Sequence, residues 1–261
     1  VGMDKWAMKS LFKSAGLPVV EGILTHKKKW FHDTEAEVQR VEAVCGGYPV
    51  VVKPVNLGSS IGISKARDRQ QLEEAVETAM EYADRVIVET CVANLREINC
   101  SVLGDLDECQ SSVCEEPLNA TDILTFGDKY ESGSKGSSKG MESLSRKIPA
   151  DLPEDVTEKI QHLAAEAFRA INGNGVARID FMMNNETGEV FINEINTIPG
   201  SLAFYLWQES GIAFDELLDK MIWLAIKRKR EKDALTVTFD TNILSNNALG
   251  GSKGGKMGSK R

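Results

Sequence analysis

Apolar positions recur at helical spacing over Lys5 to Ala15, where Trp6, Leu11 and Phe12 fall on or near one face, and Gly16 ends the run before Leu17-Pro18-Val19-Val20. The pattern predicts a helix and then a strand. A second helix is predicted from Thr34, an N-cap with Glu37 in the capping-box position, to Val44, closed by Cys45-Gly46-Gly47. Val50-Val51-Val52 reads as a strand ending in Lys53-Pro54, followed by a Gly/Ser loop that returns as another short strand. The helix Gln70 to Tyr82 precedes the strand Arg85 to Glu89, and Arg96 to Leu103 and Ser111 to Glu116 are two further strands. Between Thr125 and Lys147 the pattern fails: Gly, Ser and Lys dominate, which suits a linker or a functional lid. An amphipathic helix follows Pro149, capped by Asp151 or Leu152 with Pro153 near its first turn, and a last helix covers Asp215 to Lys229.

The most informative pattern lies between those two helices. Arg178 to Met183 and Val190 to Ile195 alternate in character around an Asn-Asn-Glu-Thr-Gly turn, which predicts a hairpin. A turn centred near Thr187 sets Asp180 opposite Glu194 and Arg178 opposite Asn196, with Ile179, Phe181 and Met183 on the other face. Carboxylates directly opposite, with Cα atoms roughly 4.5–5.5 Å apart, destabilise a sheet unless a positive charge sits between them. Two carboxylates and an amide offer only oxygen, which suits a hard divalent cation such as Mg²⁺. The alternative is an ordinary hairpin with a solvated acidic face.

Composition narrows the choices. The chain has 261 residues, enough for one large domain or two coupled ones, and its net charge of −8 disfavours general nucleic-acid binding. Residues 226–261 carry nine basic and three acidic residues, so the C-terminal end is a separate electrostatic object, read as a solubilising tail. Five cysteines, Cys45, Cys91, Cys100, Cys109 and Cys114, lack CxxC spacing and read as reduced thiols of a cytoplasmic protein. No apolar run is long enough to span a bilayer. The opening Val1-Gly2-Met3 suggests a fragment.

Neither a P-loop nor a GxGxxG turn is present. Instead Lys53 stands at a strand end, and Gly58 to Gly62 forms a small-residue loop whose N–H groups can meet phosphate oxygens. Together with the hairpin, the ordered segments MDKWAMKSLFKSAGLPV, YPVVVKPVNLGSSIGI, VIVE with Arg96-Glu97, DKY, IPADL, and GNGVARIDFM leading to INEINTIPG resemble the ATP-grasp superfamily, and within it the D-alanine–D-alanine ligases.

That resemblance implies an α+β fold with nucleotide held between two antiparallel sheets: a central subdomain over 1–90, a C-terminal subdomain over 91–232 with the lid at 125–147, and a basic tail over 233–261. It also implies roles. Lys5 and Lys53 hold ATP phosphates, while Gly58, Ser59 and Ser60 fold over them, with Ser59 at the catalytic centre. Glu89 and Val92 read adenine, Glu97 holds ribose, and Asp180, Glu194 and Asn196 bind two Mg²⁺ ions, with Mn²⁺ as the alternative. Arg178 and the backbone of Gly200 stabilise an oxyanion, and Lys129 and Tyr130 of the lid reach phosphate and substrates. The expected activity is ADP-forming ligation of D-alanine or another amino acid through an acyl phosphate, for peptidoglycan synthesis. Nucleic acid and membrane are not expected partners. The N-terminal domain of such ligases is absent or separate, and a homodimer is compatible with the family. Three other readings stay open: a ligase for a different amino acid or peptide, since the chain passes from Gly200 straight to Ser201-Leu202 where such ligases have a few more residues; a nucleotide-binding module without ligase activity; and a glycosidase using Asp180 and Glu194 as acid and base.

Overall fold

The computed structural model describes residues 1–58, 61–118 and 146–236. It divides into two compact units, residues 1–225 and 226–261. The first contains two antiparallel sheets. One has strand order β1-β4-β2-β3, built from β1 (Gly22–His26), β2 (Val50–Pro54), β3 (Ser64–Ala66) and β4 (Arg85–Thr90). The other has order β7-β6-β5-β8-β9, built from β5 (Leu95–Gly104), β6 (Cys109–Pro117), β7 (Arg146–Lys147), β8 (Gly175–Asn184) and β9 (Val190–Asn196).

Each sheet has its own core. Val50, Val52, Val86 and Val88 point from the four-stranded sheet onto α2 (Lys27–His32), α3 (Thr34–Cys45) and α4 (Arg69–Tyr82), around a fully buried Trp30. Val51, Lys53, Ile87 and Glu89 alternate to the opposite face, because side chains along a strand have a period of two. In the five-stranded sheet Ile98, Ile179, Phe181 and Ile195 pack on α1 (Lys5–Ser14) and α5 (Glu154–Ala170) through Met8, Phe12, Ile160 and Phe168. Burying each such side chain contributes about 1.5–3 kcal/mol. The other face carries Glu97, Asn99, Arg178, Asp180, Glu194 and Asn196. Beyond β9 a 3-10 turn (Gly200–Ala203), α6 (Phe204–Glu209) and α7 (Phe214–Asp233) seat Trp207 and Leu217 in a third, smaller core. In the second unit, residues 226–233 are helical, and Lys229 pairs with Asp233 at i,i+4 spacing.

Several expectations are corrected. Residues 17–20 are not a strand; Pro18 has no N–H for a ladder, although its carbonyl accepts from Ile192 N at 2.8 Å, and the first strand starts at Gly22. The α3 cap is Asp33, whose carboxylate accepts from Ala36 N at 3.0 Å, because Thr34 spends its hydroxyl on the carbonyl of Trp30. Helix α5 starts at Glu154 with Pro153 at its N-cap and no side-chain cap. Two short helices, α2 and α6, were not expected. Of the irregular stretch 125–147, the last two residues form β7 on β6, and 125–145 lie outside the described residues.

Candidate functional site

The hairpin register is the expected one where it matters: Asp180 faces Glu194 and Arg178 faces Asn196. Beyond Asp180 the pairing shifts by one, to Phe181 with Ile192, so Asn193 is the extra residue of a bulge. The bulge keeps Ile192 and Ile195 in the core, where they are buried, while Asn193 and Glu194 remain more open. Asn184 stabilises the turn by accepting from Glu186 N at 2.9 Å and Thr187 N at 3.2 Å.

Cations already meet the opposed carboxylates. Arg178 donates two parallel bonds to Asp180, at 2.7 and 2.8 Å, and Asn196 Nδ2 donates to the same carboxylate at 2.9 Å. Lys5 Nζ lies 3.2 Å from Glu194 and donates to the Leu57 carbonyl at 2.7 Å, so it joins α1, β9 and the loop after β2. Burial pushes the Asp180 carboxyl up, and Glu194 nearby adds to this, against the pull of Arg178 and Asn196. Glu194 is held below the usual carboxylate range: burial raises it, but Lys5, Lys53 and Arg178 outweigh burial.

The facing sheet supplies a second charged group. Lys53 Nζ lies 2.7 Å from Glu89 and donates to Asn193 Oδ1 at 3.0 Å, which bridges the two sheets. The other Glu89 oxygen is 2.6 Å from Lys9 Nζ. Relative exposures of 5%, 6% and 1% for Lys9, Lys53 and Glu89 make this a buried cluster. Burial pulls Lys9 down to about 8 despite Glu89, while Lys53 and Lys9 together overcome burial and hold Glu89 at about 2.

Beside Arg178 a polar row crosses the larger sheet. Asn99 faces Asp180 on one side and Glu115 on the other. Glu115 accepts from Tyr205 Oη at 3.0 Å and Asn99 Nδ2 at 3.3 Å, and lies 3.4 Å from Arg146, whose guanidinium sits 4.5 Å over the Tyr205 ring. Burial and Glu115 push the Tyr205 phenol up to about 12.

Of the expected site residues, the structure brings Lys5, Lys53, Glu89, Arg178, Asp180, Glu194 and Asn196 together. Glu89 meets two lysines, Lys9 and Lys53. Val92 lies on the link from β4 to β5, Glu97 on β5 opposite Met182, Gly58 in an open loop, and Gly200 at the start of the 3-10 turn. Ser59, Ser60, Lys129 and Tyr130 lie outside the described residues. Lys9, Asn193, Asn99, Glu115, Arg146 and Tyr205 were not anticipated. Lys9 stands four residues after Lys5 on one helix, and the paired polar residues in Ile192-Asn193-Glu194-Ile195 break the alternation as a bulge does; both signals were readable.

Among the described residues no cluster of three or more His, Cys, Asp or Glu side chains could hold a metal. The donor set is two carboxylates and an amide, which fits Mg²⁺, an ion that takes one or two carboxylates and completes its shell with water and substrate phosphate. All five cysteines are free thiols. Among the described residues no helix is long and apolar enough to cross a membrane.

The family profile described as D-ala D-ala ligase C-terminus matches residues 11–223. A D-alanine–D-alanine ligase of Acetivibrio thermocellus is 42% identical over 233 residues, which cover 87% of this chain and 58% of the relative. One from Bacillus licheniformis is 42% identical over 242 residues, covering 91% of this chain and 63% of the relative. Among solved structures, the D-alanine–D-alanine ligase from Coxiella burnetii superposes with a TM-score of 0.70 at 29% identity, over 89% of this chain and 59% of that one. The VanG D-Ala:D-Ser ligase from Enterococcus faecalis gives the same score and identity over 85% and 61%. The fold is thus that of the ATP-grasp ligases, and the chain spans 58–63% of the length of these two curated relatives.

Proposed function

This chain belongs to the D-alanine–D-alanine ligase family through its C-terminal domain, and on that premise we propose that it is the ATP-grasp portion of an ADP-forming ligase that joins D-alanine to a second D-amino acid. We read the division near residue 90 as the boundary between the two subdomains that hold the nucleotide. The observation that carries the reading is the meeting of Lys5, Lys53 and Arg178 with the opposed Asp180 and Glu194, on surfaces of two sheets that Lys53 and Asn193 link.

The reaction asks for this charge pattern. A donor carboxylate attacks the γ-phosphorus of ATP, giving an acyl phosphate and ADP; the acceptor amine then attacks the acyl carbon, and phosphate leaves as the amide forms. The first step brings two anions together and the second builds an oxyanion at the acyl carbon, so fixed cations lower both barriers. Lys5 and Lys53 neutralise phosphate oxygens. Arg178 stabilises the oxyanion of the tetrahedral intermediate, and Asp180 fixes its guanidinium by accepting two hydrogen bonds from it. Gly200 would offer a backbone N–H to the same oxyanion, and Glu97 and Val92 would meet ribose and adenine. Asp180, Glu194 and Asn196 would hold two Mg²⁺ ions, or Mn²⁺; when bound, these offset phosphate charge and orient the nucleotide. Lys129, Tyr130 and the Gly58–Ser60 loop would close over the phosphates and exclude water. The setting is cytoplasmic peptidoglycan synthesis, with small-molecule substrates and no nucleic-acid or membrane partner.

A second reading concerns the acceptor. The polar row of Glu115, Asn99, Tyr205 and Arg146 beside Arg178 favours an acceptor with a hydroxyl, such as D-serine, over one with only a methyl group. Phosphate release, measured with D-alanine as donor and D-alanine or D-serine as acceptor, tests both readings. The proposal expects amino-acid-dependent release that Arg178→Met abolishes; release independent of any amino acid contradicts it.

A further inference from the structure

Lys9 has no role in the reaction described above, yet it is among the most buried charges in the chain. It projects from α1 to one oxygen of Glu89 on β4, 2.6 Å away, while Lys53 from β2 takes the other at 2.7 Å. Two ammonium groups share one carboxylate, and all three are nearly inaccessible to water. A one-to-one pair would be neutral. This trio has a net charge of +1, and an uncompensated charge removed from water is costly. Glu194, a further carboxylate that acts on Lys9, is taken by Lys5, and Asn193, which accepts from Lys53, is neutral. The five charged groups Lys5, Lys9, Lys53, Glu89 and Glu194 therefore sum to +1, and the adjacent Arg178–Asp180 pair adds nothing.

We propose that Lys9 is a positioning residue of the phosphate site: by occupying half of the Glu89 carboxylate, it leaves Lys53 with positive charge for an incoming phosphate group. The inference rests on the nucleotide-binding reading of the site. Without Lys9, the Lys53–Glu89 contact becomes a closed neutral pair. Phosphate then gains little from approaching it. A lysine that only fills space would leave the preference for phosphate unchanged.

The test is calorimetric titration of the full chain with ADP and with adenosine, without added metal, read as the ratio of the two affinities. Lys9→Met is expected to lower the ADP-to-adenosine ratio about tenfold, as loss of a charged contact does. Lys9→Arg, which keeps the charge, is expected to retain the wild-type ratio. Lys9→Met combined with Glu89→Gln removes one charge of each sign and leaves Lys53 as the uncompensated cation, so its ratio returns to near wild type. That recovery is beyond a merely structural role. An unchanged ratio in Lys9→Met overturns the proposal; so does a double variant as weak as the single one, and if only the double variant folds its ratio decides. A wild-type chain that binds neither ligand removes the nucleotide-binding reading itself, an outcome distinct from either of these.

Discussion

Glu89→Gln is expected to be among the most destabilising conservative changes in the chain. The side chain is 1% exposed and each oxygen holds one ammonium, at 2.6 and 2.7 Å. An amide of the same shape leaves two buried cations facing a neutral group, and breaking a buried ion pair from one side costs about 3–5 kcal/mol. A second route gives a similar size: a carboxyl held at about 2 rather than the ordinary 4.5 contributes ~3 kcal/mol. Because the folded pKa is the depressed one, that stability is fully present above 4.5 and is lost as pH falls through the window toward 2. Urea denaturation at pH 7 should therefore show a loss of ~3–5 kcal/mol, a fall in Tm of roughly 6–20 °C for a chain of this size. The gap between variant and wild type should narrow as pH is lowered from 4.5. A loss below about 1 kcal/mol, or a gap that does not change with acid, would refute the buried-cluster account.

Three other substitutions probe separate parts of the argument. Asp180→Asn removes the carboxylate charge and one of the two oxygens that accept from Arg178, and it should abolish the Mg²⁺-dependent part of the thermal shift produced by ATP; an unchanged Mg²⁺ increment contradicts the ligand role. Ser201, Leu202 and Ala203 lie consecutively in the left-handed region at φ 49, 57 and 51, so Ser201→Gly should raise stability by ~0.5–1 kcal/mol in chemical denaturation, and a loss would show that the turn is unstrained. At Gly104, φ is +146 and an added Cβ would lie 2.2 Å from the Glu108 carbonyl oxygen. Gly104→Ala should then cost about 1–3 kcal/mol, and a neutral result would mean that the β5–β6 turn yields freely.

The hairpin was legible because a period-two pattern and one polar turn determine a register, and that register alone places Asp180 against Glu194. What the alternation concealed was its own interruption at Asn193, where one extra residue turns an amide toward Lys53. Long-range ion pairs were less legible. Lys9 and Lys53 meet at Glu89 only because α1, β2 and β4 converge, and no spacing along the chain encodes that convergence. The same holds for Tyr205, whose short helix α6 follows a left-handed turn of non-glycine residues that propensity does not predict. Caps failed locally for a local reason: Asp33 and Thr34 are both good N-caps, and the preceding helix α2 decided between them.

The central claim is that the opposed carboxylates and the lysines across from them form one Mg²⁺–ATP site. Thermal unfolding of the chain with and without ATP and Mg²⁺, alongside Glu194→Gln, tests it most directly. ATP at a hundred times its dissociation constant should stabilise the wild type by about 2.7 kcal/mol, and Glu194→Gln should lose most of that gain when Mg²⁺ is present. No shift with any nucleotide, or an equal shift in both proteins, would contradict the account.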